Sequence, residues 1–209
     1  WDIISTGGTA AALKAAGVPV QAVESVTGFP EMLDGRVKTL HPMVHGGLLG
    51  RRDNPVHLRA MEEHGITPID LVAVNLYPFR ATISQPDVSF EDAIENIDIG
   101  GPSMLRSAAK NHEFVLPVVE PSDYAEVLAL LRAGAVPVEA RRAYAAKVFA
   151  HTADYDSAIA AYLTPREDGL PARLGGSLER MASLRYGENP QQRAALYVTS
   201  SAPHPGLAQ

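Results

Sequence analysis

The 209-residue chain contains no cysteine, which removes disulfide frameworks, thiolate zinc sites and cysteine nucleophiles together. Any metal would have to be held by histidine and carboxylates. Positive charge in excess is also missing: 18 Lys and Arg stand against 24 Asp and Glu, a formal net charge of −6. No global positive field is therefore available to hold a nucleic acid or an acidic membrane surface. No apolar stretch approaches the length that spans a bilayer. The opening Trp1-Asp2-Ile3-Ile4 has neither an initiator Met nor a basic segment ahead of an apolar one, so no targeting peptide is visible and upstream residues are expected to be missing. The last residues, Ser200 to Gly206, are loop-like in composition, as at the end of a fragment. What is present is ordinary globular material, 46% apolar and 20% charged, enough for one large domain or one domain and part of another.

Ile3-Ile4 leads through Ser5-Thr6-Gly7-Gly8-Thr9 into an alanine-rich helix stopped at Gly17, the first half of a βαβ unit. Pro55 to His64 reads as a helix closed by Gly65, and Asp70 to Tyr77 as a buried parallel strand broken by Pro78. Ser89, followed three residues later by Asp92, starts a helix to about Asn96 as a capping-box variant. Pro102 is expected at the first position of a helix to about Asn111. Glu113 to Val119 follows as a strand in which Pro117 favours an edge or an interruption. Ser122-Asp123 is expected to cap a helix to Arg132, and Pro137 to begin a longer one ending near Leu163. Thr164 to Ser177, with two Pro and three Gly, reads as a linker. The alternation predicts an α/β fold with a mainly parallel sheet and helices on both faces.

Chemistry can be carried at several points. Thr6, Gly7, Gly8 and Thr9 sit where a strand enters a helix, a setting in which backbone N–H groups and hydroxyls receive a phosphate; a turn that only needs positive φ is the plainer alternative. Arg36 and Lys38, two apart in what is expected to be an extended segment, would project to one side towards a phosphate or carboxamide oxygen; a solvated basic strand would show the same spacing. His41 and His45 are not expected to form a metal pair, because Pro42 interrupts their helical spacing and no Glu follows His41. Asn75 and Tyr77 fall at the carboxyl end of a strand, where open α/β sheets hold ligands. Asp98 and the Gly100-Gly101 pair precede a helix N-terminus, either as an Asx-type cap or as a ligand-facing group. Lys110 shares a helix face with Ser103 and Ser107 and is either electrostatic trim or a proton carrier.

In order along the chain stand Ser5-Thr6-Gly7-Gly8-Thr9, Thr27-Gly28-Phe29-Pro30-Glu31-Met32, Gly35-Arg36-Val37-Lys38-Thr39-Leu40-His41-Pro42, Asn75-Leu76-Tyr77-Pro78-Phe79, Ile97-Asp98-Ile99-Gly100-Gly101 and Ala108-Ala109-Lys110-Asn111-His112. This series resembles the bifunctional PurH family of purine-biosynthesis proteins. The resemblance implies a methylglyoxal-synthase-like cyclohydrolase domain over residues 1–163, lacking its N-terminal strand and helix and with them part of the phosphate site. It implies closure of 5-formamidoimidazole-4-carboxamide ribotide (FAICAR) to inosine 5′-monophosphate (IMP) with loss of water, without metal or cofactor. Thr6, Gly7, Gly8 and Thr9 would bind the 5′-phosphate, and Arg36, Thr39, Asn75, Ile99, Gly100 and Gly101 the nucleotide. Lys38, Tyr77, Asp98 and Lys110 would be catalytic, with Lys110 poised by Asp98.

After the linker, residues 178–209 resemble the opening of the family's AICAR transformylase domain, in which Arg185 and Tyr186 would touch the aminoimidazole ribotide. Gln191 stands where the family has His, and the later catalytic segment is absent, so no formyl transfer is expected of this chain. For the full-length protein the resemblance implies 10-formyltetrahydrofolate as cosubstrate, a homodimer, a cytoplasmic location, and no nucleic-acid or membrane partner. Two other readings share the fold: a non-catalytic phosphate- or nucleotide-binding regulatory module, and a methylglyoxal synthase, whose aspartate and histidine arrangement finds no match here. The number of titratable groups in the motifs favours the enzyme, since a sensor gains nothing from them.

Overall fold

In the computed structural model, residues 1–164, 175–176 and 178–199 are described. Strand β1 (Ile4–Ser5) runs into helix α1 (Gly7–Ala15) and returns to β2 (Gln21–Ala22), which pairs with β1 in parallel. Helix α2 (Val23–Thr27) follows, and a 3-10 turn at Leu33–Gly35 then leads to α3 (Pro42–Leu49) and α4 (Pro55–Glu63). Both later helices open on Pro at the first position, with the side chain before it acting as cap. His41 Nδ1 accepts the Met43 N–H at 3.2 Å, and Asn54 Oδ1 accepts that of Val56 at 2.9 Å. Pro42 thus starts a helix rather than interrupting one.

Strand β3 (Leu71–Ala73) pairs in parallel with β4 (Leu116–Val118), and between them lie α5 (Phe79–Ile83), α6 (Phe90–Glu95) and α7 (Gly100–Lys110). The Ser89 hydroxyl accepts the Asp92 N–H at 3.0 Å and donates to the Asp92 carboxylate at 2.6 Å, which is the capping arrangement read from the sequence. Helix α7 begins two residues before the expected Pro102, because the Asp98 side chain, not the proline, closes its first turn: Oδ1 accepts the Gly101 N–H at 2.8 Å.

Strand β4 is buried on both sides. Val115 and Val119 face a cluster with Val44, Leu48, Leu105 and Val148, while Leu116 and Val118 face Val127 and Tyr144. Pro117 is itself fully buried, and its missing donor is tolerated because β4 pairs with β3 alone among the described residues. The expected parallel pairing is present, but as two short pairs rather than one continuous sheet.

Helix α8 (Tyr124–Arg132) is not capped by Ser122 or Asp123. Pro121–Asp123 form a 3-10 turn, and the Asp123 carboxylate is occupied by Lys147 Nζ at 2.8 and 2.9 Å. Lys147 lies on α9 (Val138–Leu163), whose bounds match the sequence reading, and its ammonium also meets Glu120 at 2.5 Å. The hydrogen bond from Lys147 holds the Glu120 carboxyl below its ordinary range, against the opposing effect of burial. The folded state therefore binds that proton more weakly than the unfolded chain, so the stabilisation is complete above the ordinary carboxylate range and is lost as pH falls through the lowered value. Glu120→Gln is expected to flatten the acid-side fall of the thermal midpoint. The effect at neutral pH should be at most a few degrees, because the pair is more than one third exposed.

The predicted linker, 164–177, lies outside the described residues except for Thr164 and residues 175–176. Beyond it, β5 (Leu178–Leu184) and β6 (Ala194–Thr199) form an antiparallel hairpin. Among the described residues no helix is long and apolar enough to cross a membrane.

Candidate active site

Part of the set singled out by sequence, Thr39, Asp98, Gly100 and Gly101, meets at the N-terminal end of α7. Its Gly100-Gly101 start is a close-approach surface: a β-carbon on Gly100 would meet Thr39 Oγ1 at 2.5 Å, and one on Gly101 would meet the Asp98 carboxylate, with Leu76 Cδ2 at 2.9 Å. Thr39, Asp98, Gly100, Gly101 and the Leu76-Tyr77 turn are therefore neighbours. Tyr77 is held by a tight turn in which its carbonyl accepts the Phe79 N–H at 2.8 Å, and Phe79 is anchored in a cluster with Tyr155 and Ala158. The Tyr77 ring itself is exposed, as are Asn75 and Ile99. Asn75 Oδ1 accepts a hydrogen bond from the Tyr124 hydroxyl at 3.1 Å, at the carboxyl end of β3.

Arg36 and Lys38 do not lie on an extended segment. Leu33 and Asp34, both with positive φ, and Gly35 at φ 81° turn the chain tightly, and each cation takes its own carboxylate. Arg36 pairs with Glu95 at the end of α6, and Lys38 Nζ lies 3.5 Å from Glu31 Oε1 with its side chain only 24% exposed. The alternative of a fully solvated basic strand does not hold for Lys38.

Asp98 is half-buried and carries two duties. Oδ1 caps α7, as in the Asx-type alternative, and among the described residues Oδ2 makes no hydrogen bond. Its backbone N–H donates to the Tyr155 hydroxyl at 2.9 Å, and that hydroxyl donates to the Asn96 carbonyl at 3.3 Å. Burial pushes the Tyr155 phenol up, so it stays a neutral hydrogen-bonding strut. Sequence reading missed Tyr155 because it sits 57 residues from Asp98 inside a helix whose periodicity explains it as core.

Lys110 is at the other end of α7. The ten residues from Gly100 rise about 15 Å along the helix axis, so the expected pairing of Lys110 with Asp98 is not made. Lys110 instead lines a cavity of about 620 Å³ with Leu49, Arg106, Ser107, Arg142 and Phe149. There the Arg106 guanidinium stacks over the Phe149 ring at 5.3 Å.

Thr6 is half-buried at the start of α1, while Gly7, Gly8 and Thr9 are exposed in its first turn, where N–H groups are unpaired by the helix itself. Among the described residues no hydrogen bond or ion pair joins this turn to the α7 end. The nearest structural link is α2, whose Val23 packs with Val44 and Leu48 of α3. Arg185 and Tyr186 lie on the connection between β5 and β6, which is closed by an Asn189–Gln192 turn. Among the described residues no group of three or more metal-ligating side chains comes together.

Residues 1–103 match the family described as the MGS-like domain, and residues 108–209 the family described as the AICARFT/IMPCHase bienzyme. The bifunctional purine biosynthesis protein PurH of Oceanobacillus iheyensis is 58% identical over 209 residues, covering 100% of this chain and 41% of that protein. PurH of Lactiplantibacillus plantarum is 58% identical over 204 residues, covering 98% of this chain and 40% of its own length. A solved structure described as the crystal structure of ForH is 44% identical, with a TM-score of 0.70, over 77% of this chain and 83% of that one. The chain thus spans about two fifths of the length of the curated relatives it matches. The MGS-like α/β fold expected of the N-terminal part is matched in the same comparisons.

Proposed function

Since the chain belongs to the PurH family of bifunctional purine biosynthesis proteins, we propose that it carries the ring-closing half of that chemistry, converting FAICAR to IMP and water. The observation that carries the reading is the convergence of Thr39, Asp98, Gly100, Gly101 and the Leu76-Tyr77 turn on one helix end, with a shielded Lys38 in the adjoining turn.

Ring closure joins the carboxamide nitrogen to the formyl carbon. Both groups sit on neighbouring ring positions, so holding the formyl group in the reactive rotamer removes much of the barrier. Contacts from Arg36, Thr39, Asn75, Ile99, Gly100 and Gly101 serve that purpose, the Gly101 N–H itself being held by Asp98, and the Thr6–Thr9 turn takes the 5′-phosphate. As the C–N bond forms, negative charge develops on the formyl oxygen, and Lys38 with the Tyr77 hydroxyl stabilises it and supplies protons for its departure as water. Asp98 Oδ2, already aligned by the cap and by Tyr155, accepts the carboxamide proton; the C–O bond then breaks as the formamido nitrogen gives up its proton and forms the ring C=N bond, so the two protons lost from nitrogen balance the two carried off in water. Between the two lysines, Lys38 is the principal acid in this reading because it borders the α7 end, whereas Lys110 faces the separate cavity.

Residues 1–163 form the cyclohydrolase unit. The two family matches adjoin between residues 103 and 108, inside the unbroken helix α7, which supports placing the end of the unit elsewhere, at the end of α9. In the full-length protein the hairpin with Arg185 and Tyr186 opens the transformylase half, which uses 10-formyltetrahydrofolate, and the assembly is a cytoplasmic homodimer. An ultraviolet assay on the full-length natural protein is expected to follow IMP formation from FAICAR with no added cofactor. Binding of IMP without turnover would replace the enzyme reading with a nucleotide-binding regulatory module.

A further inference from the structure

His45 occupies the middle of α3, half-buried, and is not among the residues that the ring-closing chemistry uses. Its Nδ1 lies 3.0 Å from Ser107 Oγ on α7, although 62 residues separate the two in sequence. Burial holds the ring below its ordinary pKa, against an opposing pull from the Thr39 backbone, so the neutral imidazole predominates near pH 7. Nε2 is buried without a hydrogen-bond partner among the described residues. An apolar ring of similar shape would avoid that desolvation cost, so packing alone does not explain an imidazole here.

The surroundings give the bond a purpose. Helices α3 and α7 share the core through Val44, Leu48 and Leu105. The segment 39–45 touches α7 twice: the Thr39 side chain lies against Gly100 at its start, and the His45 ring lies against Ser107 two turns further on. Two contacts at fixed separations on both partners constrain sliding and rotation, whereas one constrains only distance. The segment so held begins one residue after Lys38, and the helix end so held is the one capped by Asp98.

We propose that His45 is a positioning residue: its bond to Ser107 forms the second point of a clamp that sets the Lys38-Thr39 turn against the Asp98 end of α7. The inference deepens the ring-closure reading and rests on it. It also makes Ser107 part of the same device, although Ser107 lines the Lys110 cavity.

The test compares His45→Phe, His45→Asn and Ser107→Ala in the full-length natural protein, by IMP-formation kinetics, thermal midpoint and amide hydrogen exchange of residues 36–41. Phenylalanine keeps the ring's bulk and removes both nitrogens, while asparagine places a polar atom near the Nδ1 position. His45→Phe is expected to lower kcat/KM by about 10- to 10²-fold, mainly through kcat, with an equal or higher midpoint and faster exchange at residues 36–41. His45→Asn should recover most of the activity. Ser107→Ala should share the phenotype and add nothing when combined with His45→Phe, because both remove one interaction. Wild-type kinetics and exchange in His45→Phe would overturn the proposal, as would a loss that simply follows a lowered midpoint and is not rescued by asparagine. Should the wild-type protein itself fail to form IMP, the functional reading falls, and the exchange comparison alone decides the clamp: faster exchange in His45→Phe supports it and unchanged exchange ends it.

Discussion

Lys38→Met is expected to lower kcat for IMP formation by about 10²- to 10³-fold, the usual loss when a donor to a developing oxyanion is removed, with a smaller change in KM. Methionine preserves the length and flexibility of the side chain and deletes the charge. The size of the effect follows from shielding: Lys38 is 24% exposed and folds back over Gly35, close enough that a β-carbon there would meet its Nζ at 3.1 Å. A cation so placed acts through less water than one on the open surface, and its field at the substrate is correspondingly stronger. Its only ionic partner among the described residues is Glu31, at 3.5 Å and half-exposed, a contact loose enough to yield to a ligand. Lys110→Met is the informative control. A loss as deep as that of Lys38→Met would require the cavity end of α7 to meet the nucleotide and would overturn the division of labour between the two lysines.

Much of this architecture is legible without coordinates where the determinants are local. The start of α9 at Pro137, the opening of α4 at Pro55 and the Ser89–Asp92 cap each depend on residues within a few positions of one another, and each falls where the sequence puts it. The Arg36–Lys38 segment shows how local reading goes astray. Its alternating pattern suggests a strand, but the left-handed backbone at Leu33, Asp34 and Gly35 turns the chain, and Glu31 and Glu95 draw its cations apart. The Asp34-Gly35 pair is itself a turn signal, which the alternation that follows it overrides in a reading by pattern. Pro102 misleads for a related reason, since a carboxylate three residues before Gly101 outcompetes proline as the start of the helix. What sequence cannot reach are the struts between distant elements. Tyr155 under Asp98 and His45 against Ser107 each look like ordinary helix residues until the partner helix is in place, and neither periodicity nor spacing encodes a contact spanning some sixty positions.

Gly101→Ala is the second substitution with a large expected effect, and its value lies in separating activity from stability. Gly101 is buried in the first turn of α7, and an added β-carbon would collide with the Asp98 carboxylate and come within 2.9 Å of Leu76 Cδ2. Neither neighbour can absorb the methyl group in place. The carboxylate is tethered through Oδ1 to the Gly101 N–H itself, and Leu76 packs against the buried core one residue from Tyr77. The Asp98 side chain must therefore rotate away, giving up the cap and its aim, and the Leu76-Tyr77 turn must shift outward. For stability two terms oppose: the lost cap and the crowding cost about 1–3 kcal/mol, while replacing glycine by alanine inside a helix returns about 1 kcal/mol. The net change is expected to be modest and the protein to remain folded. Catalysis has no such compensation, because a displacement of about 1 Å in the proton acceptor is enough to cost about 10²-fold. The expected result is a near-normal thermal midpoint with kcat reduced about a hundredfold, as for a group misplaced by that distance. Asp98→Asn, which keeps the cap but removes the charge, should fall as far. Turnover at the wild-type rate in Gly101→Ala would show that the Asp98 carboxylate serves the helix and not the substrate.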